Sequence, residues 1–141
     1  MNKILLIITG SIAASRCKEI IALLNINEVK ISCILTKEAK KYVKISHIKK
    51  LLKNRIFTDE DEKKNKMLHI NLSRDNDLIV MCPATANSIA KFANGYGDNL
   101  ASNTLLASNK KILFVPAMNS FMWHNKINQK NVKLLKDNGH E

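Results

Sequence analysis

Four apolar runs of strand length, each followed by a helix-like segment, limit the fold of this chain more than any other feature. Residues 3–9 form a continuous run of Leu and β-branched side chains, the pattern of a strand buried on both faces. Residues 29–35, 78–82 and 111–115 repeat that pattern, and Pro83 and Pro116 close the last two. Between them the spacing turns helical. Ala13, Ala14, Cys17, Ile20, Ile21 and Leu24 recur on one face, and Thr36 can cap a helix over 38–43. Residues 84–93 are mostly small, and Ala86, Ile89, Ala90 and Ala93 on one face predict a helix there that ends at Asn94-Gly95. Helices follow over 100–107 and 126–138, the last with Ile127, Leu134 and Leu135 inward and Gly139 behind it. Residues 55–57 predict a short strand, and the charge run 59–66 reads as an exposed loop. Strands alternating with helices specify an α/β fold: a single Rossmann-like three-layer domain over 1–141, its parallel sheet covered by helices on both faces.

At 141 residues the chain can bury one core and not two. The apolar runs are far too short to span a bilayer, and Met1-Asn2-Lys3 carries no leader pattern, so the cytoplasm is the expected compartment and no membrane is expected as partner. The three cysteines, Cys17, Cys33 and Cys82, are widely spaced within predicted elements; they read as buried free thiols and suggest no metal site. A net charge of +11 raises nucleic acid as a partner. The lysines are scattered, however, and aromatic residues are not interleaved with them, so no stacking platform is formed and no nucleic acid is expected. The charge reads as solvated surface that helps to attract an anionic ligand.

Ligands of such sheets sit outside the C-terminal strand ends. Here those ends are Gly10-Ser11, Thr36, Pro83-Ala84-Thr85 and Pro116-Ala117-Met118-Asn119, where small and polar residues concentrate. Thr9-Gly10-Ser11 joins a strand to a helix and exposes backbone N–H groups at a helix start, which suits phosphate, although it is neither GxGxxG nor a Walker loop. Many such turns need a glycine for geometry alone. Thr85, Asn87 and Ser88 open a second helix with polar groups, the pattern of ordinary capping as well as of anion binding. Gly97-Asp98-Asn99 forms a turn or a set of hydrogen-bonding groups. Among the histidines, His69 stands between Leu68 and Ile70 just before a core strand, and Asn119 follows the last strand. The residues alone make both candidates and no more.

Four stretches, ITGSIAA (8–14), HINL (69–72), PATANSIAKFANGYGDNL (83–100) and PAMNSFMW (116–123), resemble the homo-oligomeric flavin-containing cysteine decarboxylases, with a match running from Lys3 to the final residue. Within that family PAMNSFMW resembles the phosphopantothenoylcysteine decarboxylases, which remove CO2 on the route to coenzyme A. Their peptide-cysteine counterparts usually differ at the position of Ala117. The resemblance implies FMN with its phosphate near Gly10, Ser11 and Thr85, and further flavin contacts from Thr36, Ala84, Asn87, Asp98 and Met118. It implies homotrimers or dodecamers, a small phosphorylated cysteine-containing substrate, His69 as the base of the oxidation step and Asn119 as the holder of the substrate carboxylate. The implied chemistry is coherent. A cysteine carboxylate has nowhere to place the electrons left by CO2, whereas a thioaldehyde-like species, made by hydride transfer to the flavin, accepts them as an enethiolate.

The family's flap, whose Cys protonates the enethiolate, has no counterpart in this sequence, and Cys17, Cys33 and Cys82 do not match it. The expectation is a chain that decarboxylates and stalls at the enethiol. Two other readings are a decarboxylase of C-terminal peptide cysteines and a flavin-binding regulatory subunit. Ala117 and Trp123 argue against the first, and the retained His69 with no acidic tail argues against the second.

Overall fold

The computed structural model describes residues 3–53 and 55–141; the leader reading at Met1-Asn2 concerns residues outside that range. Five parallel strands form one sheet: β1 (Lys3–Ile8), β2 (Lys30–Leu35), β3 (Ile56–Phe57), β4 (Leu78–Ala84) and β5 (Ile112–Pro116), in the order β3-β2-β1-β4-β5. The helices are α1 (Cys17–Ile26), α2 (Ile45–Leu51), α3 (Asp59–Lys64), α4 (Leu68–Asp75), α5 (Ala86–Ala93), α6 (Leu100–Leu106), α7 (Ser120–His124) and α8 (Lys126–Asp137). Two 3₁₀ turns, Ile12–Arg16 and Glu38–Lys41, follow β1 and β2. The expected three-layer α/β architecture is what forms.

The continuous apolar strands pack on both faces of the sheet at once. Leu5 and Ile7 of β1 pack with Leu68, Leu72, Ile89, Leu100, Leu105 and Leu135 on one side of the sheet. Leu6 and Ile8 pack with Ala14, Cys17, Ile21, Ile48 and Leu52 on the other. Successive strand side chains point to opposite faces, so a central strand with helices on both sides must be apolar at every position. Burial of each such Leu or Ile contributes about 1.5–3 kcal/mol. All three cysteines are buried and free. The Cys17 thiol is pushed up by its hydrogen bond to the Cys82 side chain and by burial, and burial pushes up Cys33.

Several local expectations are corrected. The charge run does not form a loop. Thr58 and Asp61 make a capping box, acids fill the first turn and lysines the last, and α3 results. Pro83 does not end its strand: β4 continues to Ala84, because a register irregularity against β5 between Met81 and Ala84 accommodates a residue without an N–H. His69 does not precede a strand directly; it lies in the first turn of α4. On α8, Ile127 is 74% exposed and Leu134 also faces out, while Asn128 and Leu135 are buried. Asn128 donates to Met118 Sδ (3.4 Å), so a polar side chain shares that helix's inward face with Val132 and Leu135. Ile20 of α1 is likewise exposed.

The far end of α4 is fastened by one ammonium. Lys110 Nζ donates to the carbonyls of Ser73 (3.0 Å), Arg74 (2.8 Å) and Asn76, offsetting the negative end of the helix. His140 is no isolated terminal residue. Its ring packs between Phe92 and Phe114 with centroids 5.3 and 6.1 Å away, and burial holds its pKa below the ordinary value.

Candidate functional site

The strand order places the site. From β1 the chain winds outward through β2 and β3, then returns to the other side of β1 as β4 and continues to β5. The turns after β1 and β4 therefore diverge at the switch point, which opens a crevice at the carboxyl ends of the strands. A cleft of about 360 Å³ lies there, lined by Thr9, Gly10, Thr36, Lys37, Glu38, Asp59, Thr85, Asn87, Ser88, Lys91, Asp98 and Asn99.

Five of the residues that the resemblance assigns to the flavin meet in this cleft: Gly10, Thr36, Thr85, Asn87 and Asp98. A Cβ on Gly10 would come 2.4 Å from Glu38 Cβ, so packing against the β2 turn demands glycine there whatever the cleft binds. Thr36 Oγ1 accepts from the Ala39 amide (3.3 Å) and shapes that turn. Thr85 caps α5, its hydroxyl oxygen accepting from the Ser88 amide (3.1 Å). The amides of Ala86 and Asn87, at the start of the same helix, have no intrahelical acceptor. Thr9 Oγ1 donates to the Pro83 carbonyl (2.6 Å), which ties the ends of β1 and β4 beneath the cleft.

Ser11 and Ala84 flank the cleft in the chain without lining it. Ser11 Oγ accepts from the Ala13 amide (3.2 Å), and Ala84 is fully buried with its carbonyl accepting from the Ala117 amide (3.1 Å). Met118 packs against the core under α5 and α8. Asn119 is exposed and caps α7, its Oδ1 accepting from the Met122 amide (2.9 Å). His69 also lies outside the cleft lining. Its Nδ1 sits 2.9 Å from Glu62 Oε1, close but poorly aligned for a hydrogen bond. The structure thus gathers five of the eight proposed cofactor residues and leaves Ser11, Ala84, Met118, His69 and Asn119 outside the cleft lining.

Several functional groups escape a sequence reading. Lys91 Nζ pairs with Asp98 Oδ2 at 2.6 Å, and this contact, helped by Ser102, holds the Asp98 carboxyl below the usual carboxylate range. Asn99 caps α6 through a capping box with Ser102. Asp59 Oδ1 accepts from the Leu100 amide (2.9 Å), so α3 is docked on the start of α6. The capping signal at Thr58-x-x-Asp61 could have revealed α3; nothing in the sequence reveals its partner.

The Flavoprotein family profile matches residues 1–141. The chain is 32% identical over 144 residues to a probable phosphopantothenoylcysteine decarboxylase of Streptococcus mutans, covering 99% of this chain and 80% of that one. It is 33% identical over 140 residues to the epidermin decarboxylase of Staphylococcus epidermidis, covering 97% and 74%. It also matches bifunctional coenzyme A biosynthesis proteins, but spans only 35% of the length of the Vibrio vulnificus one. Among solved structures, the FMN-dependent cysteine decarboxylase SpaF superposes with a TM-score of 0.93 at 30% identity, covering all of this chain and 82% of that one. A switch-point cleft, polar helix starts around it and likeness along the whole sequence place this chain in the flavoprotein family, among the flavin-dependent cysteine decarboxylases.

Proposed function

We propose that this chain binds FMN and decarboxylates a cysteine with a free carboxylate, and that its substrate is 4′-phosphopantothenoylcysteine. The observation that carries the reading is the switch-point cleft, whose contents fit a phosphorylated flavin. Its volume is that of a small-molecule site. One wall is bare backbone at Gly10, and another is the hydroxyl-capped start of α5 with two amides lacking intrahelical acceptors. Gly10, Thr85 and the Ala86 and Asn87 amides would hold the phosphate, and Thr36, Asn87 and Asp98 would face the rest of the cofactor, with Ser11, Ala84 and Met118 beside the cleft. When bound, FMN supplies the two-electron oxidation and reduction that a cysteine carboxylate requires.

The remaining roles fall to the chain itself. Capping uses Asn119 Oδ1, and among the described residues its NH2 group has no protein partner, which leaves two donors for a substrate carboxylate. His69 Nε2 takes part in no described hydrogen bond, while Nδ1 is sealed from solvent beside Glu62, so Nε2 is the nitrogen that receives a proton. Large apolar side chains at Ile12 (79% exposed), Phe121 (89%) and Ile127 support assembly into homotrimers or larger oligomers, which would bring His69 and Asn119 of one copy to the cleft of another.

Ala117 and Trp123 within PAMNSFMW, and the Streptococcus relative, favour the phosphopantothenoyl substrate. The epidermin decarboxylase likeness supports a cysteine-ended peptide as the second reading. The FMN-reconstituted chain is offered both substrates, and mass spectrometry follows the loss of CO2. Turnover of phosphopantothenoylcysteine alone supports the first reading, and turnover of the peptide alone replaces it with the second. The same spectra show whether the product is the enethiol or the reduced thiol. A chain that binds no FMN would sink both readings.

A further inference from the structure

We infer that Glu62 is a positioning residue for His69: its carboxylate keeps the proton on Nδ1 and thereby presents Nε2 as the free base. The inference deepens the decarboxylase reading and rests on it for the role of His69. Three independent observations converge. His69 Nδ1 is buried without a well-formed hydrogen bond, and the Glu62 carboxylate is 2.9 Å away. A buried ring nitrogen left unpaired is costly, and a carboxylate can only accept, so the nitrogen facing it carries hydrogen. Glu62 is itself held from behind. Asn103 Nδ2 donates to Oε1 (3.2 Å) and Oε2 (3.4 Å), and the Glu62 side chain is only 18% exposed.

The helix that carries Glu62 is also fixed at its start by two contacts. The capping box sets its start, and Asp59, three residues before Glu62, is bonded to the Leu100 amide at the head of α6. Asn103 lies one turn further along α6. Glu62 therefore reaches His69 from a frame built on three helices, α3, α4 and α6. Neutral imidazole in water favours hydrogen on Nε2, the wrong nitrogen for a base that must accept there. Fixing the other tautomer is what a buried carboxylate does for a catalytic histidine.

Histidine-selective 15N spectra of the FMN-reconstituted chain read the tautomer directly, with the His69 signal identified by its loss in His69→Gln. The parent is expected to show hydrogen on Nδ1. Glu62→Ala shifts the signal toward the Nε2–H form and lowers kcat about ten- to a hundredfold with KM little changed, as expected for losing the charged neighbour that fixes the tautomer. Glu62→Gln keeps the shape, so it tests the inference even where Ala disturbs folding. Its amide can offer an oxygen or an NH2, and it falls between parent and Ala in both tautomer and kcat. Parent-like His69 spectra in both variants overturn the inference, as does hydrogen on Nε2 in the parent. A parent with the Nδ1–H tautomer that turns over neither substrate overturns the decarboxylase reading alone.

Discussion

Thr9 and Pro83, 74 residues apart, are joined by a 2.6 Å hydrogen bond from the threonine hydroxyl to the proline carbonyl. The bond links the ends of β1 and β4, the two strands between which the winding of the sheet reverses. Thr9 is buried, so replacing it with Val keeps the shape and leaves the Pro83 carbonyl without its partner. Thr9→Val is expected to lower stability by about 1–3 kcal/mol and to weaken FMN binding, because the loops after both strands lose their common anchor. Urea denaturation and a flavin titration check the two effects.

Gly10→Ala places a methyl 2.4 Å from Glu38 Cβ, an atom held close to the backbone and unable to rotate away. The turn after β2 has to shift, at a cost of about 1–3 kcal/mol. Calorimetry should show a lower Tm, and the flavin absorption of the desalted protein should fall with it. Unchanged values for both would mean that the turn yields freely.

His140 predicts a pH dependence. Its Nδ1 accepts from the Ile112 amide (3.3 Å), which only an unprotonated nitrogen can do. Burial lowers its pKa from the ordinary 6.5. The folded state thus binds that proton less readily than the unfolded chain. The stability it confers is fully present above about pH 6.5 and is lost as pH falls through the lowered folded value. Urea midpoints of the parent should decline over that interval, and those of His140→Leu should decline less.

Of the fold, the sequence made the buried strands legible because helices on both sides of β1 require apolar residues at every position. The crevice was legible for a related reason: Gly10, Thr36 and Thr85 sit where strands give way to helical turns and Asp98 in the turn between α5 and α6, and small or polar residues suit such positions. What stayed hidden depends on partners distant in the chain. Residues 59–66 look like a solvated charge run, yet Asp59 serves an amide 41 residues on and Glu62 faces His69. Periodicity assigned Ile127 to the core, but Asn128 takes that place through contacts with Met118 and Trp123. A single-chain pattern also cannot separate a residue buried by its own fold from one covered by another copy.

That last distinction yields a prediction. Ile127 lies at the start of α8 and is 74% exposed. Ile127→Glu places an acid in the first turn, where the helix dipole favours it, so the monomer should keep its stability. If this face is covered in a homo-oligomer, sedimentation velocity will show smaller species than for the parent. An unchanged sedimentation coefficient would assign the assembly contact to another face.

Consider finally how α4 is held. Its first turn bears His69 beside Glu62, and its last carbonyls are gripped by Lys110. Mechanically this is a beam clamped at both ends. Such an element transmits load more readily than it swings, so α4 is expected to hold the imidazole in one place. If His69 is the base proposed above, the reacting bond is brought to the imidazole and not the imidazole to the bond.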